Sequence, residues 1–306
     1  MTRLADFTET AKAGSPVDFH LAGKVPATTA LRVLLNHADV CDPHSGAPFS
    51  EAMLFGIAGG IGIGVSSFFF GKDKFASFSL AGRHLWHDDL ACINGALGAF
   101  GLESELRETS GPKTAARQLR EAVAQHGPVI AWVDLASLPH RGMPEALRGR
   151  LSHVVTGYEV DEQKNTALIG DLSGDPIAIS LTDLEAARGR IRKQRFRVLW
   201  IAPRETSPFD LRALIEGGLR RCRDGFRNPA VRGLKSEAQL EAIETWGERF
   251  TNSDAKQGWP QMFRPGATLW RALSSVHDCI ENHGTGGGLC RPLFADFLQE
   301  ASTFSC

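Results

Sequence analysis

The sequence predicts an α+β fold: helices, then an antiparallel sheet, then a smaller helical region. Three observations predict it. Apolar residues recur at helical spacing up to His126. Between Val129 and Ile201 they give way to short β-branched runs bounded by turn residues. Beyond Ala202-Pro-Arg-Glu-Thr-Ser-Pro208 the helical spacing returns and continues to the end. Strands grouped together, and not alternating with helices, belong to an antiparallel sheet and not to a doubly wound one. The division expected is residues 1–204 for the α+β domain and 205–306 for the helical one.

Taken in order, residues 1–24 are polar and aperiodic and read as an irregular arm. From Val25 to His37, Leu31, Leu34, Leu35 and Ala38 share one helical face, with Pro26 or Thr28 in the first turn. Ser50 is placed to cap a short helix from Glu51 to Phe55 that Gly56 ends. Residues 83–100 form a helix with Leu85, Leu90, Ile93 and Leu97 inward. Another follows from Ala115 to His126, stopped by Gly127-Pro128. Strands are expected at 129–134, 153–160, 166–170, 177–180 and 197–201, with a helix at 181–188. The turn Asp161-Glu-Gln-Lys-Asn165 joins two of them as a hairpin. The final helices fall at about 209–224, 236–250, 267–282 and 290–301 by the same spacing.

The stretch Pro48 to Gly71 stands apart, because an apolar segment opened by Glu51 dissolves into glycines and ends in three phenylalanines. A dinucleotide fingerprint needs a strand, then glycines, then a helix. Here the glycines follow a helix, and Val65-Ser-Ser is not the Gly-Lys-Ser/Thr that closes a phosphate loop. Lys72, Asp73 and Lys74 follow at once, which argues against a membrane span. The reading kept is the wall of a substrate pocket, with Gly60, Gly62 and Phe68 as binding positions. Glu51 is either an exposed first-turn charge complementing the helix dipole or a buried anchor for a substrate amine. His87, beside Trp86, either lines the pocket or packs.

Composition narrows the class. With 306 residues, a net charge of −1 and 42% hydrophobic residues, the chain has no basic footprint for nucleic acid or an anionic membrane. The first residues lack an apolar core of signal-peptide type. Six scattered cysteines, with no CxxC pair, read as free thiols of a reducing compartment. A cytoplasmic, bacterial protein without metal or cofactor is expected, and a homodimer is open. Near the end, Gly284-Thr-Gly-Gly-Gly288 precedes a helix carrying Arg291. Its backbone, with Gly286 and Arg291, either holds a phosphate such as that of a phosphopantetheine arm or simply joins two helices.

The pair that carries chemistry is His153 and Asp171. One opens a strand of the expected hairpin and the other closes the next, so a carboxylate can fix the imidazole tautomer. The alternative is a strand-end histidine and a turn aspartate. A helix starting near Pro26 against such a sheet is the layout of papain-like enzymes, in which a cysteine sits at that first turn. Here Thr28 and Thr29 are the nearest hydroxyls, as nucleophile or as plain N-caps.

Several segments together resemble the butirosin biosynthesis protein H family: FSEAMLFGIAGGIGIG, Ser152-His-Val-Val-Thr-Gly-Tyr-Glu159, Gly170-Asp-Leu-Ser-Gly-Asp-Pro176 and the tail from His277 to Ala301. The resemblance implies a cysteine-protease-like domain followed by a helical domain. It also implies acyl transfer, from an acyl carrier protein or CoA thioester to a small amine or hydroxyl acceptor in antibiotic biosynthesis. His153 and Asp171 match the family's histidine and aspartate. The family's cysteine falls on Pro26, which has no nucleophile and no N–H. Three outcomes are then open: a direct transfer with His153 as base, a hydrolase or cyclase using Thr28 or another nucleophile, and a silent binding or partner protein.

Overall fold

The computed structural model describes residues 19–70, 75–82, 89–203, 208–227, 239–282 and 286–304. In chain order these form α1 (Pro26–His37), α2 (Glu51–Ile57), β1 (Ile63–Phe70), β2 (Phe75–Gly82), α3 (Asp89–Ala99) and β3 (Ser104–Arg107). Next come α4 (Pro112–His126), β4 (Val129–Asp134), β5 (Ser152–Asp161), β6 (Thr166–Gly170), β7 (Ile177–Ser180), α5 (Leu181–Arg190) and β8 (Val198–Ile201). The chain finishes with α6 (Leu211–Arg227), α7 (Gln239–Thr251), a single turn α8 (Trp259–Met262), α9 (Ala267–His277) and α10 (Arg291–Ser302).

These elements gather into two compact units that do not follow chain order. Of the described residues, the first holds those up to Glu51 together with those of 100–209; the second holds those of 52–99 and those from Asp210 on. The expected cut at 204/205 therefore needs correcting: residues 52–99 join the helical C-terminal part. The physical reason is the packing of their glycines against helices far along the chain.

The first unit is an antiparallel sheet of order β3-β8-β4-β5-β6-β7. All six residues of β4 are buried, as expected of a central strand covered on both faces. Leu119, Ala122 and Val123 of α4 and Leu184 and Ala187 of α5 share a core with Val129, Ala131, Val133 and Val155. Val33 of α1 packs with Tyr158 and Leu168 in a separate cluster. The expected β5–β6 hairpin is present, with Asp161 opposite Thr166 and Asn165 in the left-handed region at φ 51°. β3 is an addition to the expected strands; it is a four-residue strand, Ser-Glu-Leu-Arg, with no alternation strong enough to read.

A bulge lies between Gly157 and Glu159, so Tyr158 is the extra residue on β5. Its phenol lies so close to Gly170 that any Cβ there would overlap it. Glycine at the last position of β6 is thus required, and Asp171 follows it directly.

In the second unit the glycines of the 56–64 stretch have a packing role. Gly56 is inside α2 and does not end it; an added Cβ would fall within the Phe297 ring of α10. Across from it, a Cβ on Gly218 of α6 would lie 2.4 Å from the Gly56 carbonyl oxygen. Gly218 therefore allows α6 to touch the backbone of α2, and Gly56 makes room for the Phe297 ring of α10. Arg221 of α6 donates to Ile57 O at the C-terminal end of α2, where a cation suits the helix dipole. Gly60, at φ 63°, lies under the Phe294 ring. Where the sequence suggests a glycine wall, β1 and β2 form a two-stranded hairpin, Ile63 opposite Gly82 and Phe70 opposite Phe75. The hairpin and the helices share a core of Val65, Phe78, Leu80, Trp259, Met262 and Phe263. Among the described residues no helix is long and apolar enough to cross a membrane.

Candidate functional site

The register of β4 and β5 places His153 opposite Val133, and Asp134 opposite Ser152. Between these strands the chain makes a long excursion that Asp134 closes at its base. Asp134 is fully buried; it accepts from Ser137 Oγ at 2.6 Å and from the Leu151 amide at 3.3 Å. A second backbone bond, Leu135 N to Leu151 O at 2.8 Å, ties the same base. Within the excursion, Pro139–Arg141 make one 3-10 turn ended by Gly142 at φ 57°. That turn presents His140 and Arg141 to the strand end.

Asp171 is the hub. His153 Nε2 lies 2.9 Å from Oδ1 and His140 Nε2 lies 2.8 Å from Oδ2. Arg141 grips both oxygens, Nη2 to Oδ1 at 2.6 Å and Nε to Oδ2 at 2.9 Å. The Leu172 amide adds a further donor to Oδ1 at 2.9 Å. Burial alone would push the Asp171 carboxyl up. The hydrogen bonds from His140, His153 and Arg141, with the His153 charge, outweigh it and hold the acid well below the usual carboxylate range. An ionised carboxylate only accepts, so both imidazoles must carry their proton on Nε2. In its neutral form each ring then has its lone pair on Nδ1. His153 is buried, whereas the His140 side chain keeps 18% of its surface.

The segment ahead of α1 braces this hub. Gly23 N donates to Leu172 O at 3.2 Å, and His20 Nε2 bonds Ser173 O at 2.9 Å. His20 Nδ1 meets the Tyr158 hydroxyl at 2.5 Å. Since Ser173 O can only accept, the His20 proton is on Nε2 and Tyr158 donates to Nδ1. Burial pushes the Tyr158 phenol up, so it stays protonated.

Glu51 takes neither of the roles expected of it. It is buried, and Oε1 and Oε2 accept from the Lys24 amide at 2.9 and 2.8 Å, while Oε1 also accepts from the Val25 amide at 2.7 Å. Thr29 Oγ1 lies 3.2 Å away. The carboxylate therefore fastens the chain just ahead of Pro26, whose missing N–H costs nothing at a first helical position. Glu51→Ala should destabilise the protein, with about 1–3 kcal/mol for the buried Val25 amide left unpaired. Glu51→Gln, which still accepts, should recover part of the loss. Urea unfolding decides it, and an Ala variant as stable as the parent would show that the carboxylate is not an anchor.

The other expected positions are dispersed. Thr28 is buried in the first turn of α1 and makes no hydrogen bond to His153 or Asp171 among the described residues. Gly60 is covered by Phe294, and Gly62 is a buried residue just ahead of β1. Phe68 has its backbone in β1 opposite Ser77; its side chain, like all of His87, lies outside the described residues. Gly286 opens five consecutive positive-φ residues that run to Cys290. In that loop the Gly288 amide donates to Glu281 Oε2 at 3.1 Å, and Arg291 Nε to Gly288 O at 2.8 Å. The chain's own carboxylate thus occupies a donor that a phosphate would need. Among the described residues no group of three or more His, Cys, Asp or Glu is placed to hold a metal ion.

Residues 26–172 match the family model described as butirosin biosynthesis protein H, N-terminal. Residues 180–305 match a domain of unknown function, DUF4872. No curated protein matches the chain.

Proposed function

Because the chain belongs to the butirosin biosynthesis protein H family, we propose that it is an acyl-transfer enzyme of specialised-metabolite biosynthesis that uses His153 and Asp171 and no covalent acyl-enzyme. The observation that carries this reading is the 2.9 Å bond from His153 Nε2 to a buried, ionised Asp171. It orients Nδ1 as the working base. The family match runs from Pro26 to Leu172 and so includes His140, Arg141, His153 and Asp171.

In the reaction proposed, an acceptor amine or hydroxyl attacks the carbonyl of an acyl thioester carried by CoA or an acyl carrier protein. His153 Nδ1 takes the acceptor's proton as the new C–N or C–O bond forms. The C–S bond then breaks, and the imidazolium returns the proton to the thiolate, so an amide or ester and a free thiol leave. Holding the two reactants together supplies much of the acceleration in such a step.

One observation favours a second reading. Arg141 already neutralises Asp171 through a bidentate contact, so the carboxylate has less charge left to support an imidazolium. A binding protein with a locked, inert His–Asp pair would look the same.

Mass spectrometry after incubation with acyl-CoA or acylated carrier protein and a small amine separates the outcomes. The expected result is an amide product with the chain unmodified. A stable acyl adduct on the chain would overturn the direct transfer, and neither product nor adduct would favour the binding protein.

A further inference from the structure

A pocket of about 160 Å³ opens in the first unit, at the opposite end of β4 from His153. Pro128, which lines it, immediately precedes β4, whereas His153 pairs with Val133 near the strand's other end. At about 3.4 Å per residue the five residues from Pro128 to Val133 separate the two by roughly 17 Å. The pocket shares no residue with the Asp171 constellation, and its chemistry is independent of the acyl transfer proposed for His153.

Leu34, Leu102, Pro128 and Ile201 make apolar walls, and the polar lining side chains are His37 and His126. Each of these histidines is the last residue of its helix, His37 of α1 and His126 of α4. Two helix C-termini therefore converge on one small cavity, and both bring the negative partial charge of the helix dipole. Among the described residues neither imidazole has a hydrogen-bond partner. His126 is held in place by stacking flat on Trp200, with centroids 4.6 Å apart and 9° between planes. Gly127, at φ 79°, keeps the space between them open: a Cβ there would lie 2.7 Å from His37 Nε2.

We propose that this pocket binds the ammonium end of a short alkyl or aryl amine, with the imidazoles of His37 and His126 as acceptors and the apolar walls around its hydrocarbon. An ammonium brings three N–H donors and a positive charge, matching two imidazole acceptors and the negative ends of two helices. His37 is an exposed residue, but partial desolvation of its ring lowers its pKa below the ordinary histidine value. Asp39, just past the end of α1, opposes that lowering of His37 but is outweighed by desolvation, and its negative charge suits an ammonium. Arg107 lies over the Trp200 ring at 5.1 Å, but its charge is offset by Glu121 at 3.2 Å. A carboxylate ligand would meet two helix ends of its own sign.

The test uses the full chain labelled at its histidine rings and n-butylamine as probe, with butyrate at equal ionic strength as the control. Titration to about 50 mM exceeds the millimolar dissociation constants ordinary for so few atoms. The expected result is a saturable shift of the His37 and His126 ring signals with His153 unmoved, and no response to butyrate. His126→Phe, which keeps the stack on Trp200 but removes the lone pair, should weaken binding at least tenfold. Ala38→Leu, which fills the half-buried lining from α1, should do the same without touching a histidine. An absent or non-saturating shift, an equal response to butyrate, or unchanged affinity in both variants would overturn the assignment.

Discussion

His153→Gln should lower turnover by about 10²–10⁴-fold, the span a positioned general base contributes, while leaving the fold in place. Glutamine is the sharper substitution because its amide can still donate to Asp171 Oδ1, as Nε2 does at 2.9 Å, and it fills most of the buried site. What it lacks is a lone pair able to take a proton. His153→Ala should lose as much activity and some stability too, because the ring is buried. The loss should fall on kcat with KM little changed, since proton removal is made only in the transition state. Steady-state assay with an acyl thioester and a small amine gives the answer. A Gln variant that keeps most of the parent's rate would remove His153 from the chemistry and leave the inert reading of the Asp171 hub.

That the pair can be read from sequence at all depends on one hairpin. The turn Asp161–Asn165 sets the register of β5 against β6, and the register brings the start of one strand to the end of the next. That relation is local, so sequence and structure agree on it. His140 and Arg141 are not legible for the opposite reason. They are on a turn in the excursion between β4 and β5, and what carries them to Asp171 is the closure of that excursion by a buried aspartate, Asp134. Nothing within a few residues of Pro139-His-Arg-Gly142 encodes that return, though a histidine and an arginine beside two turn formers are a weak signal.

The 48–71 stretch misleads through its glycines. Glycine permits close approach, but sequence does not say of what. Here the approaching groups are Phe294 and Phe297 of α10 and the backbone of α6, far along the chain. The complement of each glycine is a tertiary partner, which is also why residues 52–99 fall in the second unit. β1 is hidden in the sequence because glycines precede it and its apolar residues come in a run without alternation. The terminal helices, by contrast, lie within a few residues of their expected places, since spacing in an amphipathic helix is a local property.

Asp171→Asn should destabilise the protein by roughly 3–5 kcal/mol at neutral pH, the usual cost of removing one partner from a buried ionic group. The carboxylate side chain is 2% exposed and faces Arg141 and two imidazoles. Asparagine keeps the volume, but its amide turns a donor toward a set of groups that are all donors, and Arg141 is left without a counter-charge. The pH dependence follows from the direction of the acid's shift. The folded-state acid is held well below its ordinary value, so the native state binds fewer protons than the unfolded chain once the unfolded acid begins to protonate. The stabilisation is therefore fully present above about pH 4 and declines as pH falls from there toward the folded value, by about 1.4 kcal/mol per pH unit. The substituted amide cannot titrate, so the gap between parent and variant should narrow as pH falls from about 4 to 3. Urea unfolding across that range measures both curves. If they run parallel into acid, Asp171 is not ionised in the native state, and the fixed tautomers of His140 and His153 lose their basis.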